Sequence, residues 1–350
     1  MHLEAVDLTD AQRIRACHDI YLEAQRVDDP DGGWLSYRPF SGWLTVGWNA
    51  EPREVWTITG RANGEGEGGG GQKAADEIAG WYRLELPDLE NLDRADLDLI
   101  VRPRHRRRGL GRALLRHAVE RAAAHGRSIL NGAAWQGTAG DAFARTTAAK
   151  PGLVDIRRIQ YPPKLPAGEL ARLRGPAEQA AAGYSLLSWT GPVPEELLDQ
   201  TAILFAAMAD APHDPGVARA VWDAGRIRER VNALFPVFGN RQYSVAARHD
   251  GTGEMAALTQ VAVDPTMPEW GFQMLTAVTR EHRGHRLGLL VKVAMLELLA
   301  AQEPQLEQVE TFNAESNPHM ISVNEALGYS IVGPPMNGWL LDVKAARGEA

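Results

Sequence analysis

Hydrophobic and polar positions alternate with two distinct periods along this chain. Alternating or β-branched apolar runs at residues 3–10, 54–60, 77–86, 93–101 and 127–135 predict strands. Residues 11–25 space their apolar positions for a helix, and so does the segment from Leu110, where Leu110, Ala113, Leu114 and Ala118 share one face. Residues 60–73, GRANGEGEGGGGQK, predict a glycine loop between strands. The proline- and alanine-rich stretch 161–183 predicts a connector containing a short helix.

After the connector the order begins again. Strands are predicted at 184–190, 242–249, 254–264, 271–279 and 308–312. Helices are predicted at Pro194–Ala209, near 214–234, from about 286 with Leu287, Leu290, Val291, Ala294 and Leu298 on one face, and at 317–328, before strand-like closing segments.

Two stretches put this restart in register. IVRPRHRRRGLGRALL (100–115) and AVTREHRGHRLGLLVK (277–292) match at Val101/Val278, His105/His282, Arg106/Arg283, Leu110/Leu287 and Gly111/Gly288, always 177 positions apart. A constant offset near half the chain length predicts a duplicated domain, with an N-terminal copy over 1–160 and a C-terminal copy over 184–350.

The repeated unit is a strand, a basic turn with glycines, and an amphipathic helix. The first N–H groups of a helix lack intrahelical partners, and with the helix dipole they form an anion site. Glycine lets the backbone approach a phosphate closely, and arginine adds charge-assisted bonds to phosphate oxygens. The unit therefore predicts a diphosphate held at a helix start.

Val101, Arg106, Gly109 and Gly111 follow the pattern Val-x4-Arg-x2-Gly-x-Gly, which resembles the acetyl-coenzyme A signature of the GNAT superfamily of N-acetyltransferases. The second copy has Val278, Arg283, Gly284 and Gly288, with Arg286 in place of the first signature glycine. NPHMISVNEALGY (317–329) is similar to the family's helix running from an asparagine, here Asn317, to a Gly-aromatic pair; the counterpart in the first copy is weaker. The resemblance implies an α/β fold, with an α+β mixed sheet in each of two tandem GNAT-like acyl-coenzyme A N-acyltransferase domains, whose fourth and fifth strands diverge into a notch for pantetheine.

It further implies backbone contacts to pantetheine near Ile100 and Val101, or Val278 and Thr279. The diphosphate contacts would come from Arg107, Arg108, Gly109 and Arg112, or from His285, Arg286 and Leu287 together with Gly284 and Gly288. An amine would attack the thioester directly, giving acetyl transfer from acetyl-coenzyme A to a primary amine on a small molecule or peptide. Candidate bases are Asp96 and Asp98 on the fourth strand of the first copy and Glu269 just before that of the second. The position where many members carry an acidic tyrosine is Asn324. The second copy is the fuller match at its end, which favours it slightly as the active half. The alternative is an acyl-coenzyme A binder, a sensor or scaffold with degenerate sites and no catalysis.

Composition narrows the classes. A net charge of −8 argues against a nucleic-acid-coating protein, although RNA binding through 102–112 is a weaker reading of the arginine run. Cys17 is the lone cysteine, which leaves no disulfide framework and no thiolate metal cluster. No apolar run reaches 18 residues and the opening residues carry no secretory pattern, so the expectation is a cytoplasmic protein without a membrane span. Gly66, Gly68 and Gly71 fit a dinucleotide fingerprint, but Glu65 and Glu67 would repel a diphosphate there. His282 and His285 have no evident third metal ligand. Trp34, Trp43 and Trp48 predict packing or an amine pocket on the acceptor side, and Asp28–Asp31 (DDPD) a solvated turn.

Overall fold

The computed structural model describes residues 2–61, 76–214 and 216–348; the glycine fingerprint at Gly66, Gly68 and Gly71 lies outside the described residues. In chain order the first elements are β1 (His2–Ala5), α1 (Ala11–Asp28), α2 (Tyr37–Thr45), β2 (Arg53–Arg61), β3 (Asp76–Glu85), β4 (Arg94–Val101), α3 (Leu110–Ala124), β5 (Ile129–Trp135), α4 (Ala139–Ala144) and β6 (Lys150–Gln160). They are followed by α5 (Glu169–Ala180), β7 (Tyr184–Thr190), α6 (Leu198–Ala207), α7 (Ala224–Arg230), α8 (Phe235–Phe238), β8 (Arg241–His249), β9 (Met255–Val263) and β10 (Trp270–Val278). The chain closes with α9 (Leu287–Gln302), β11 (Gln308–Ala314), α10 (Pro318–Ala326), β12 (Ser330–Ile331), β13 (Met336–Asp342) and α11 (Val343–Arg347).

The chain folds into two compact units, but they are not its contiguous halves. Unit 1 comprises Met1–Gly152 with Met336–Ala350, and unit 2 comprises Leu153–Pro335. The expected boundaries 1–160 and 184–350 therefore change in a specific way. β6, encoded at the end of the first repeat, pairs with β11 and β12 in unit 2. β13, encoded at the end of the second, pairs with β5 in unit 1. The segment 161–183 is no mere connector, because Leu173 and Ala177 of α5 are buried in the core of unit 2. The helix expected near 214–234 shrinks to α7, a single turn at Asn232–Leu234, and α8.

The two sheets repeat one plan. In unit 1 the order is β1-β2-β3-β4-β5-β13, antiparallel except for the parallel pair β4/β5. In unit 2 the order is β7-β8-β9-β10-β11-β6, antiparallel except for the parallel pair β10/β11. α3 buries Leu110, Leu114, Ala118 and Ala122 against one face of the first sheet, as its periodicity predicts. On the other face, Ile14, Cys17 and Ile20 of α1 join Phe40 and Trp81. Burial pushes the Cys17 thiol up to about 12, which makes it a packing residue. α9 covers β8 and β9 in unit 2 with Leu287, Leu290, Val291 and Leu296.

Candidate active site

Each unit has a notch where its parallel strands part. β4 and β5 pair only from Arg94/Ile129 to Asp96/Asn131, although both strands run on. β10 and β11 pair only from Trp270/Gln308 to Phe272/Glu310. Beyond these pairs the facing backbone groups have no ladder partner across the gap and can receive an extended ligand as an extra strand. β10 also carries a register shift between Gln273 and Leu275, which leaves Met274 outside the ladder, whereas β4 keeps its register with β3 through Val101.

At the open end of each notch the backbone makes the same turn from different residues. In unit 1 the left-handed positions are Arg107 (φ 62°) and Gly109 (φ 82°); in unit 2 they are Gly284 (φ 88°) and Arg286 (φ 54°). These four lie pairwise 177 positions apart, so each turn has one glycine and one arginine in αL, in opposite order. Successive N–H groups in such a turn converge and, at a helix start, form an anion-binding concavity. Holding an arginine in αL costs about 1–2 kcal/mol, which a conserved turn shape across two different sequences has to offset. The Arg286 substitution thus preserves the backbone shape. A Cβ on Gly111 would meet Phe143 and Val101 only at ordinary contact distances, and one on Gly288 only Val278, so packing does not itself demand glycine at either position.

Most of the basic side chains are already engaged by the protein. Arg106 donates to Asp28 at 2.7 and 2.5 Å and to the Val101 carbonyl at 3.1 Å. Arg283 repeats this with Asp210 at 2.7 Å and the Val278 carbonyl at 3.4 Å. Both signature arginines therefore brace the turn, with their bonds facing the protein. Asp28 is likewise an ion-pair partner and not part of a merely solvated turn. Arg104 and His105 hold Glu77 at 2.6 and 2.5 Å. Arg107, Arg108 and Arg112 are exposed and carry no ion pair among the described residues, and neither does Arg286 in unit 2. Unit 1 thus offers three uncommitted guanidinium groups around its turn where unit 2 offers one.

At the closed end of the unit 1 notch, charged groups gather on the face opposite α3. Asp98 accepts from Arg83 at 2.7 and 3.0 Å, and the Arg83 guanidinium lies 4.2 Å from the Trp43 ring centre. Asp96, in the last pair before the strands part, accepts from Asn131 at 2.9 Å. Burial, with Glu85 and Asp98 nearby, raises the Asp96 carboxyl above its ordinary range. Glu85 meets Arg53 at 2.8 Å. Glu51, on the loop before β2, is pushed up to about 7 by burial and by the neighbouring Glu85, Asp96 and Asp88.

The corresponding region of unit 2 is built differently. Asn324 is fully buried and its Oδ1 accepts from Lys292 Nζ at 2.7 Å, while its Nδ2 donates to Asn313 at 2.7 Å. Lys292 is only 2% exposed, and its ammonium lies 4.5 Å from the Tyr329 ring centre. Burial lowers this lysine to about 7. Glu269 is exposed and precedes β10, where its carbonyl accepts from the Glu307 and Gln308 N–H groups at the closed end of the strand pair.

Unit 1 also contains a cavity of about 110 Å³ just beyond the last β4/β5 pair. Leu97, Leu99, Leu115, Leu130, Phe143 and Trp339 line it.

Comparison with known proteins agrees with this geometry. Residues 32–136 match the Acetyltransferase (GNAT) family, a span that runs from before α2 to the end of β5. A mycothiol acetyltransferase of Tsukamurella paurometabola is 29% identical over 245 residues, covering 67% of this chain and 74% of the relative. That of Mycobacterium leprae is 29% identical over 222 residues, covering 57% of this chain and 64% of the relative's length. A tandem GNAT protein from the clavulanic acid biosynthesis pathway superposes with a TM-score of 0.77 at 27% identity, over 98% of both chains. Residues 32–136 thus carry a GNAT acetyltransferase domain, and the chain as a whole is similar in structure to a tandem GNAT protein.

Within this GNAT architecture the predicted site residues fall into separate groups. Ile100 and Val101 lie at the open end of β4, Val278 at that of β10, and Thr279 directly after it. Leu287 is a core residue, so only its backbone is available to a ligand. His285 bonds the Ala180 carbonyl at 3.2 Å, and His282 shares a 2.8 Å hydrogen bond with Tyr184. Asn317 is the N-cap of α10, its side chain accepting from the Met320 N–H at 3.3 Å. Trp43 joins the aromatic cluster with Tyr21, Phe40 and Trp81, while Trp34 is exposed. Among the described residues no helix is long and apolar enough to cross a membrane.

Glu51 and Lys292 did not stand out in the sequence. Glu51 acquires its character only by folding beside β3 and β4. Lys292 does leave a trace, as a single cation inside the apolar run LGLLVKVAML (287–296), at the position where the first repeat has Leu115.

Proposed function

We propose that this GNAT protein transfers acetyl from acetyl-coenzyme A to the amine of a small molecule, and that unit 1 carries the reaction. The observation that carries the reading is the duplicated αL turn at the open end of a parted parallel strand pair. That turn supplies converging N–H donors for the diphosphate, and the free edges beyond Asp96 and Asn131 supply partners for the pantetheine amides.

Three features favour unit 1. Arg107, Arg108 and Arg112 are uncommitted around its turn. The cavity opens beyond its last strand pair. Glu51, Glu85, Asp96 and Asp98 outnumber Arg53, Arg83 and Arg94 at its closed end, which suits a cationic amine. An ammonium must lose a proton before it can attack. Glu51, titrating at about 7, is matched to accept that proton near neutral pH. The amine nitrogen then bonds to the thioester carbonyl carbon, the tetrahedral adduct collapses, the C–S bond breaks with its electron pair on sulfur, and the proton remaining on the adduct nitrogen passes to that thiolate, giving the amide and free coenzyme A thiol. A thiol of pKa about 8.5 is a tolerable leaving group without a dedicated phenol acid, which fits Asn324 of α10, and Thr147 just after α4 at the equivalent position of the first repeat, standing where a tyrosine is absent.

The names of the curated relatives, mycothiol acetyltransferases, support a small-molecule acceptor over a protein one. Unit 2 keeps the turn and the parted strands, but Asn324 is committed to Lys292 and Asn313. That commitment favours coenzyme A binding without turnover there. A thiol-release assay with acetyl-coenzyme A and a panel of small amines tests the reading. Amine-dependent release of free coenzyme A is expected, and release by no member of the panel would overturn it.

A further inference from the structure

Lys292 of α9 is a buried cation without a counter-ion. Its ammonium donates to Asn324 Oδ1 at 2.7 Å and lies 4.5 Å from the Tyr329 ring centre, and among the described residues no carboxylate pairs with it. The next group in the chain of contacts adds no charge, since Asn324 Nδ2 donates to Asn313 at 2.7 Å. Taking an ammonium out of water costs more than one neutral acceptor returns, and an anion is what would offset it. An ammonium has three donors, so one hydrogen bond and one ring face leave it able to take a further partner.

This cluster stands where the notch of unit 2 receives its ligand. In unit 1, Leu115 of α3 and Thr147 after α4 both line the space beyond the last β4/β5 pair. Their equivalents at the 177-residue offset are Lys292 and Asn324. Asn313 lies past Glu310, the last residue of β11 to pair with β10, so it is on the parted strand, where it is half-buried. A coenzyme with its diphosphate on the αL turn and its pantetheine along the parted strands brings its sulfur to this cluster. The sulfur of an acetyl thioester is uncharged and offers an ammonium little. A free thiol offers more: its proton passes from sulfur to the lysine nitrogen, which leaves a thiolate beside an ammonium and needs no other reactant. Each charge then favours the other. A thiol of ordinary pKa about 8.5 and a lysine held by burial at about 7 make that exchange accessible near neutral pH.

Resting on the reading that unit 2 binds coenzyme A without turnover, we infer that its notch selects free coenzyme A over acetyl-coenzyme A, holding the thiolate against the Lys292 ammonium while Asn324 orients that ammonium. Unit 2 is then a site for the product of the transfer and not for its acyl donor. Unit 1 has Leu115 in the equivalent place and no cation there to make the same distinction.

Titration of the full chain with coenzyme A, acetyl-coenzyme A and S-methyl-coenzyme A near neutral pH tests this, followed by calorimetry and by the ultraviolet absorption of the thiolate. Free coenzyme A is almost wholly thiol under these conditions, so one bound thiolate per chain is a signal that the protein must create. Coenzyme A is expected to bind one class of site about ten-fold or more tightly than either capped form, the return of a hydrogen bond between charged groups. In Lys292→Met the thiolate signal disappears and the three ligands bind alike. The comparison with S-methyl-coenzyme A is made on the unaltered protein, so it decides the matter even where the variant folds poorly. Coenzyme A binding without a thiolate signal overturns this inference alone, as does a signal that Lys292→Met retains or equal affinity for coenzyme A and its S-methyl form at every site. Failure of coenzyme A itself to bind removes the underlying reading as well.

Discussion

Arg106 reaches back from its turn to Asp28 at the end of α1, and Arg283 makes the equivalent contact with Asp210 just after α6. In both units a carboxylate distant in sequence thus braces the turn. Within unit 1, Asp28→Asn keeps the shape and removes the charge. Partly exposed ion pairs contribute about 1 kcal/mol, so coenzyme A affinity is expected to fall about five-fold. Calorimetry checks this, and unchanged affinity would mean that the turn orders itself without Asp28.

The exchanged αL residues give a stability prediction of opposite sign in the two turns. Arg286→Gly relieves αL strain but loosens the unfolded chain, for a net gain of about 0.5–1 kcal/mol. Gly109→Ala introduces strain and is expected to cost about 1–2 kcal/mol. Urea denaturation of both variants measures the difference. Equal effects would show that the turns are not conformational equivalents.

The proposed role of Glu51 as the base predicts a pH-dependent rate. As a base it must be deprotonated, so kcat/KM is expected to rise with pH through about 7 and then level. Glu51→Gln removes that limb and lowers kcat/KM by about 100-fold or more, given the usual contribution of a positioned base. If the limb survives in this variant, Asp96 or another group takes the proton.

Lys292 makes stability depend on pH. Its folded pKa of about 7 lies below its ordinary 10.5, so between these values the unfolded state binds more protons. Stability contributed by this group therefore increases as pH rises from about 7 to 10.5, and below 7 the cost of burying the charge is fully present. Lys292→Met is expected to remove one proton's worth of that slope, as measured by denaturation across the range. An unchanged slope would mean that the ammonium is not held away from water.

Much of the architecture was legible because the repeat was legible. The offset that joins Arg106 to Arg283 and Gly111 to Gly288 marked both turns, and apolar spacing after Leu110 and Leu287 placed both helices. The exchange of β6 and β13 was not legible, since strand propensity in residues 150–160 and 336–342 carries no statement of which sheet they enter. The signature arginines were visible as residues but not as braces, because Asp28 and Asp210 are far from them in sequence. Asp98 was selected by its strand, and only the fold reveals that Arg83 already holds it. Glu51 owes its raised pKa to groups on β3 and β4 that chain order separates from it.

The assignment of acetyl transfer to unit 1 is tested most directly by amine-dependent thiol release from two charge-reversed proteins. One carries Arg107→Glu with Arg108→Glu, and the other carries Arg286→Glu. Turnover is expected to collapse in the first and persist in the second. Turnover that survives in the first and is lost in the second would contradict the account and move the reaction to unit 2.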